Sequence, residues 1–129
     1  MGLLKKAALP ILLSAAWISL SEFIRNEFLF KSYWTDHYQK LGLMFPSEPA
    51  NGAVWGLWSL LFSSAIFIIS RQYSLVKTSL IAWFFGFVLM WIVIWNLNVL
   101  PVKILYAAVP LSLFETFLAA WIIKKFSER

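Results

Sequence analysis

One carboxylate stands alone in the last apolar stretch of this chain. Glu115 lies near the middle of Val102 to Ile123, with no other charged residue between Lys103 and Lys124. An acidic residue at a membrane-helix centre costs roughly 2.5 to 3.5 kcal/mol on insertion scales, so a carboxyl there is expected to face other helices and to be protonated or partnered. Such a group can carry a proton or hold a small solute. Ala108, Ser112, Glu115 and Ala119 share one helical face, which places Glu115 and Ser112 on a small-residue seam rather than toward lipid.

A second polar group lies in the first apolar stretch. Ser14, Ser21 and Arg25 fall on one face with Glu22 on its shoulder, and Glu22 reaches Arg25 at i,i+3 or Asn26 at i,i+4. With Asn96 and Asn98 at a similar depth, Glu22 and Arg25 outline a polar vestibule that has Glu115 beneath it. The competing reading makes Glu22 and Arg25 a self-neutralised structural pair. At ~1.5 Å per residue, Glu22 and Glu115 differ in depth by roughly 10 Å, which argues against a two-carboxylate acid/base site.

Other chemistry finds little support. With one histidine, His37, and no cysteine, the chain offers no disulfide, thiolate metal site, bis-histidine haem or cysteine nucleophile. No Gly-rich phosphate loop and no nucleophile elbow occur. No metal and no cofactor is expected, and whether the chain is an enzyme stays open, with the balance against it.

These residues must be positioned by helices. At 61% hydrophobic and 13% charged, with mean hydropathy +0.77, the 129 residues carry more apolar surface than a soluble core of this size can hide. Crossing about 30 Å of hydrocarbon takes ~20 helical residues. Four runs suffice, at about 7–28, 52–70, 78–100 and 102–123, predicting an all-α polytopic four-helix bundle as a single transmembrane domain over 1–129. Lys5 and Lys6 before AALPILLSAAWISL resemble a signal peptide. The helix runs on through Glu22 and Arg25 without a small-residue cleavage site, so it is read as the first span.

Basic residues set the expected orientation. Lys5, Lys6, Arg71, Lys77, Lys124, Lys125 and Arg129 gather on the side shared by both termini, and Lys31, Lys40 and Lys103 on the other, which places both termini in the cytoplasm. The charge of +5 is largely this asymmetry, and no nucleic-acid partner is expected.

The long outer connection holds FLFKSYWTDHYQKLGLMF. Phe30, Tyr33, Trp34, His37, Leu41 and Phe45 fall broadly on one face, which predicts an interfacial amphipathic helix at about 30–42, either a spacer in the headgroups or a lid over the outer mouth. Gly42 is its expected stop, and Pro46 and Pro49 return the chain through irregular backbone. Helix packing is expected along Gly52, Gly56, Ser59 and Ser63, with close backbone approach at the two glycines. Pro110 predicts a kink in the last helix, and Pro101 a tight turn before it.

An acidic first helix, FLFKSYW, YQKLGLMFP, a Trp-rich second helix and WNLNVLP before a final helix together resemble small four-helix bacterial membrane families designated as domains of unknown function. The resemblance implies four spans and a bacterial inner-membrane location, and no activity. Small multidrug transporters are similar in length and have a helix-one glutamate. The clear charge bias here and Arg25 one turn after Glu22 set this chain apart from them.

The expected function is an integral membrane protein, in contact with lipid, whose internal polar site binds or translocates a small solute or proton. Four such helices enclose little space, so a homo-oligomer is also expected. One alternative is an accessory or scaffold subunit, bonding a partner membrane helix through the Gly52/Gly56 seam and Glu115. Another is a membrane enzyme acting on a lipid or isoprenoid.

Overall fold

The computed structural model describes residues 2–127, with side chains from residue 6 onward, and it is helical almost throughout. Helix α1 (Gly2–Ile24) runs into a π-helical turn, Arg25–Leu29, closed by Phe30 N–H donating to the Arg25 carbonyl at 2.9 Å. A short α2 (Lys31–Lys40) follows. The chain then returns through irregular backbone to α3 (Pro49–Ser70). The third long segment is α4 (Leu75–Trp83), a second π-helical turn, Phe84–Val88, and α5 (Leu89–Asn96). A 3₁₀ turn, Val102–Ile104, opens α6 (Leu105–Ser127).

Local chemistry explains each boundary. Helix α2 stops at Gly42, whose φ of 74° a side chain would resist. Its N–H donates to the Gln39 carbonyl at 3.0 Å, and the Leu43 N–H reaches the Tyr38 carbonyl at 2.9 Å. Pro49 is the first residue of α3, where no intrahelical donor is lost, and Glu48 with Asn51 forms a reciprocal cap. Ser74 caps α4 by accepting from the Lys77 N–H at 3.3 Å. Asn98 ends the third segment as Gly42 ends α2: its φ is 64°, its N–H donates to the Trp95 carbonyl and the Val99 N–H to the Ile94 carbonyl, both at 3.0 Å. That segment therefore spans 75–96 rather than 78–100, and α3 begins three residues before the expected 52.

Four stretches, Lys6–Leu29, Pro49–Ser70, Leu75–Asn96 and Val102–Ser127, are long and apolar enough to cross a membrane. Their faces are sorted by polarity. Leu12, Leu20, Phe85 and Ile92 point outward, whereas Ser14, Ser59, Ser63, Thr78, Ser112 and Thr116 are fully buried. Small hydroxyl residues at the contacts let helices approach closely and bond across or back onto carbonyls.

Helix α1 packs against α6 and α3, and α4 packs against α6. Ser14 Oγ donates to the Ala119 carbonyl at 3.3 Å, Trp17 Nε1 to the Glu115 carbonyl at 2.9 Å, and Ser63 Oγ to the Ile11 carbonyl at 2.7 Å. At one end of the molecule, Lys124 Nζ donates to the Ser70 carbonyl at 3.1 Å, satisfying the last turn of α3. Lys5 and Arg129, which contribute to the expected orientation, lie outside the described side chains.

Gly86 is tightly covered by a side chain: an added Cβ would stand 2.5 Å from Phe62 Cε1. Gly52 and Gly56, expected to provide close backbone approach, have nothing within 4 Å of a built Cβ, so the tight step of α3 lies one to two turns deeper, at Ser59 and Ser63. The main apolar cluster centres on Ile18, Phe62, Ile66, Phe87 and Ala119. A smaller one, Phe30, Leu100, Ile104 and Ala108, lies beneath α2.

Candidate functional site

Glu115 is 0% exposed on α6, Glu22 4% on α1 and Arg25 7% in the first π-helical turn. On α1 the Trp17 indole N–H donates to the Glu115 carbonyl at 2.9 Å, and Glu22 lies five residues further along the helix, a rise of about 7.5 Å from Trp17. Long side chains close that difference. Arg25 Nη2 donates to Glu22 Oε1, and Arg25 Nη1 lies 3.7 Å from Glu115 Oε1. Counting residues along the helices misses this contact, because Arg25 reaches both carboxyl groups.

The second π-helical turn completes the cluster. Phe87 is 1% exposed, and the Arg25 guanidinium carbon sits 5.2 Å from its ring centroid, within cation–π range. Each π turn inserts one residue into the helical count and re-aims the residues beyond it, a device common at functional sites. Here one supplies the cation and the other the ring beneath it.

Asn26 joins the site without being among the residues expected there, although its i,i+4 spacing to Glu22 signals the contact. Its Nδ2 donates to Glu22 Oε2 at 3.0 Å and to the Glu22 carbonyl at 3.1 Å, while its Oδ1 accepts from Trp34 Nε1 at 3.1 Å. Helix α2 is thereby bonded to the buried carboxylate through one amide. His37 Nε2 lies 2.7 Å from the Asn98 carbonyl, tying the same helix to the turn before α6.

Above this cluster is a cavity of about 310 Å³, with Glu22, Arg25 and Asn26 at its polar end. Its walls are aromatic: Trp34 and Tyr38 from α2, Phe45, Trp55 from α3, and Phe87 and Trp91 from the third segment. Helix α2 thus covers the cavity, with an inward face that differs from the one read on the helical wheel. Tyr33 and Leu41 are exposed, and the spacing Phe30, Trp34, Tyr38 turns toward the cavity. A second cleft, about 490 Å³, lies on the other side of Glu22 and is lined by Glu27, Glu48, Gly52, Gly56 and Ser59. The two glycines thus border open space.

The remaining expected residues are placed elsewhere. Asn96 and Asn98 are exposed and line neither cavity, because the helix that would have carried them inward ends there. Ser112 is buried one turn from Glu115, accepts from Trp83 Nε1 at 2.8 Å and donates to the Val109 carbonyl at 3.0 Å, joining α4 to α6. Among the described residues, no three His, Asp or Glu side chains gather as a metal ion would require.

The hydrogen-bond balance of the cluster does not close. Among the described residues, Arg25 Nη1 and both carboxyl oxygens of Glu115 are buried without a hydrogen-bond partner, and 3.7 Å is too long to join them directly. Buried polar atoms are paired in the great majority of cases, and unpaired ones concentrate where a structure binds or reacts. Two carboxyl groups face one guanidinium, so the site has room for one more positive charge, whether a proton or a cation. The chain matches no protein-family model, no curated protein and no solved structure, so what it does must be read from this geometry.

Proposed function

We propose that this chain is a polytopic membrane protein, a four-helix bundle whose internal polar site binds, and passes across the bilayer, a small solute or a proton. The observation that carries the reading is the unpaired Glu115 carboxyl facing Arg25 behind an aromatic cavity. Buried ionisable groups in apolar helices mark binding sites and proton relays. The protein reconstituted in liposomes with an internal pH-sensitive dye tests it. Wild type is expected to dissipate an imposed proton or solute gradient; Glu115→Gln, which keeps volume and removes the titrating group, is expected to melt within a few degrees of wild type and to lose the flux. Undiminished flux in Glu115→Gln removes Glu115 from the path.

The location that goes with this reading is a bacterial inner membrane, with both termini cytoplasmic and α2 outside, supported by the distribution of lysine and arginine. Because the chain contains no cysteine, single cysteines at Ser47 and Ser127 report it directly. An impermeant thiol reagent applied to intact cells should label position 47 and spare position 127; the reverse pattern inverts the topology.

A second reading, an accessory subunit or a homo-oligomer, is favoured by the open small-residue step at Gly52 and Gly56, where a neighbouring helix would meet no side chain.

A further inference from the structure

Charge and wall chemistry at the aromatic cavity agree on one kind of occupant. At its polar end, Glu22 and, behind it, Glu115 share the single guanidinium of Arg25. The nearest lysine in sequence, Lys31, is 3.4 Å from Glu27 and paired there. Of the two further carboxyl groups in the adjoining cleft, Glu27 is the one that Lys31 neutralises, which leaves Glu48 to add to the acid on the far side of Glu22. Aromatic faces carry negative charge density and attract cations, tryptophan most strongly. Three tryptophans, Trp34, Trp55 and Trp91, line the cavity, and one of its rings, Phe87, already supports a cation in Arg25. A volume of about 310 Å³ holds a molecule of one ring with a small head group.

Resting on the reading of an internal solute site, we propose that the cavity binds an organic monocation, with its ammonium head toward Glu22 and its apolar body against the tryptophan and phenylalanine rings. The same geometry says how the charge would balance. An ammonium at Glu22 takes over one interaction of that carboxylate, and Arg25 turns by its Nη1 edge toward Glu115, closing the 3.7 Å gap. Two cations then face two carboxylates, and Arg25 Nη1 and Glu115 Oε1, two of the three unpaired atoms, find partners in each other. No bond forms or breaks. Asn26, bonded to both Glu22 and Trp34, carries any movement of Glu22 to α2.

The test uses the full chain in detergent and three probes of similar shape: benzyltrimethylammonium, its neutral isostere neopentylbenzene, and the anion benzenesulfonate. Binding is measured by tryptophan fluorescence against protein-free micelles. The cation is expected to bind roughly tenfold or more tightly than either of the others. Trp55→Leu, a change at a half-exposed position, should weaken the cation severalfold and the neutral isostere less, because leucine keeps apolar contact and removes the ring face. Equal binding of cation and isostere overturns the charge preference while leaving a solute cavity in place. Tighter binding of benzenesulfonate also overturns it, making Arg25 the receptor. Failure of all three probes to bind removes the solute cavity itself, and with it the reading on which this inference rests.

Discussion

Arg25→Gln should lower stability more than any other single change at the buried cluster. It leaves Glu22 and Glu115 facing each other with no counter-charge, and breaking a buried ion pair from one side typically costs about 3 to 5 kcal/mol. The loss of the guanidinium from the Phe87 ring adds to this. Glu22→Gln should be milder, because Arg25 keeps Glu115 within 3.7 Å. The double variant should recover part of the loss. Thermal melting in detergent reads all three, with a fall of roughly 10 °C or more expected for Arg25→Gln. A melting point unchanged in Arg25→Gln would mean that the guanidinium is solvated, and the buried cluster would have to be abandoned.

Phe87→Ala should be comparably damaging for a different reason. Phe87 is 1% exposed and packs edge-on or tilted against Trp58, Phe62 and Trp91, so truncation opens a cavity of phenyl size where α3 meets the third segment. Such changes cost about 3 to 5 kcal/mol. Phe87→Leu separates packing from chemistry. It restores most of the volume and should recover most of the melting temperature, yet it removes the ring beneath Arg25. If Phe87→Leu melts as low as Phe87→Ala, the ring's contact with the guanidinium carries more of the stability than its bulk does.

Much of this arrangement is legible in the residues. An isolated acid in an apolar run must turn inward, and the seam of Ala108, Ser112, Glu115 and Ala119 is buried throughout, as its spacing requires. The Glu22–Arg25 pair follows from i,i+3 geometry. The contact with Glu115 does not, because residue counting fixes backbone depth and ignores the reach of an arginine. Asn98 is polar and near the right depth, but an asparagine tolerates positive φ, and there it serves as a helix stop. The inward face of α2 is Phe30, Trp34 and Tyr38 rather than the broader face on the wheel, which carries no information about the π-helical turn immediately before it. Gly52 and Gly56 have the spacing of a helix contact and lack the neighbour, which a sequence pattern by itself does not supply.

The pairing of α1 with α6 bears on how such a chain is made. A ribosome delivers α1 first and α6 last, so if the helices enter a bilayer in turn, Arg25 waits through the synthesis of the two intervening spans before the one that carries Glu115 arrives. A cation stranded that long in lipid would oppose insertion of its own helix. Glu22, one turn away on the same helix, removes the difficulty, since α1 enters already neutralised and needs no later segment to do so. On that order of insertion the local pair would cover the interval between translation of the first helix and arrival of the last, and Glu115 would join a site whose charge is already balanced.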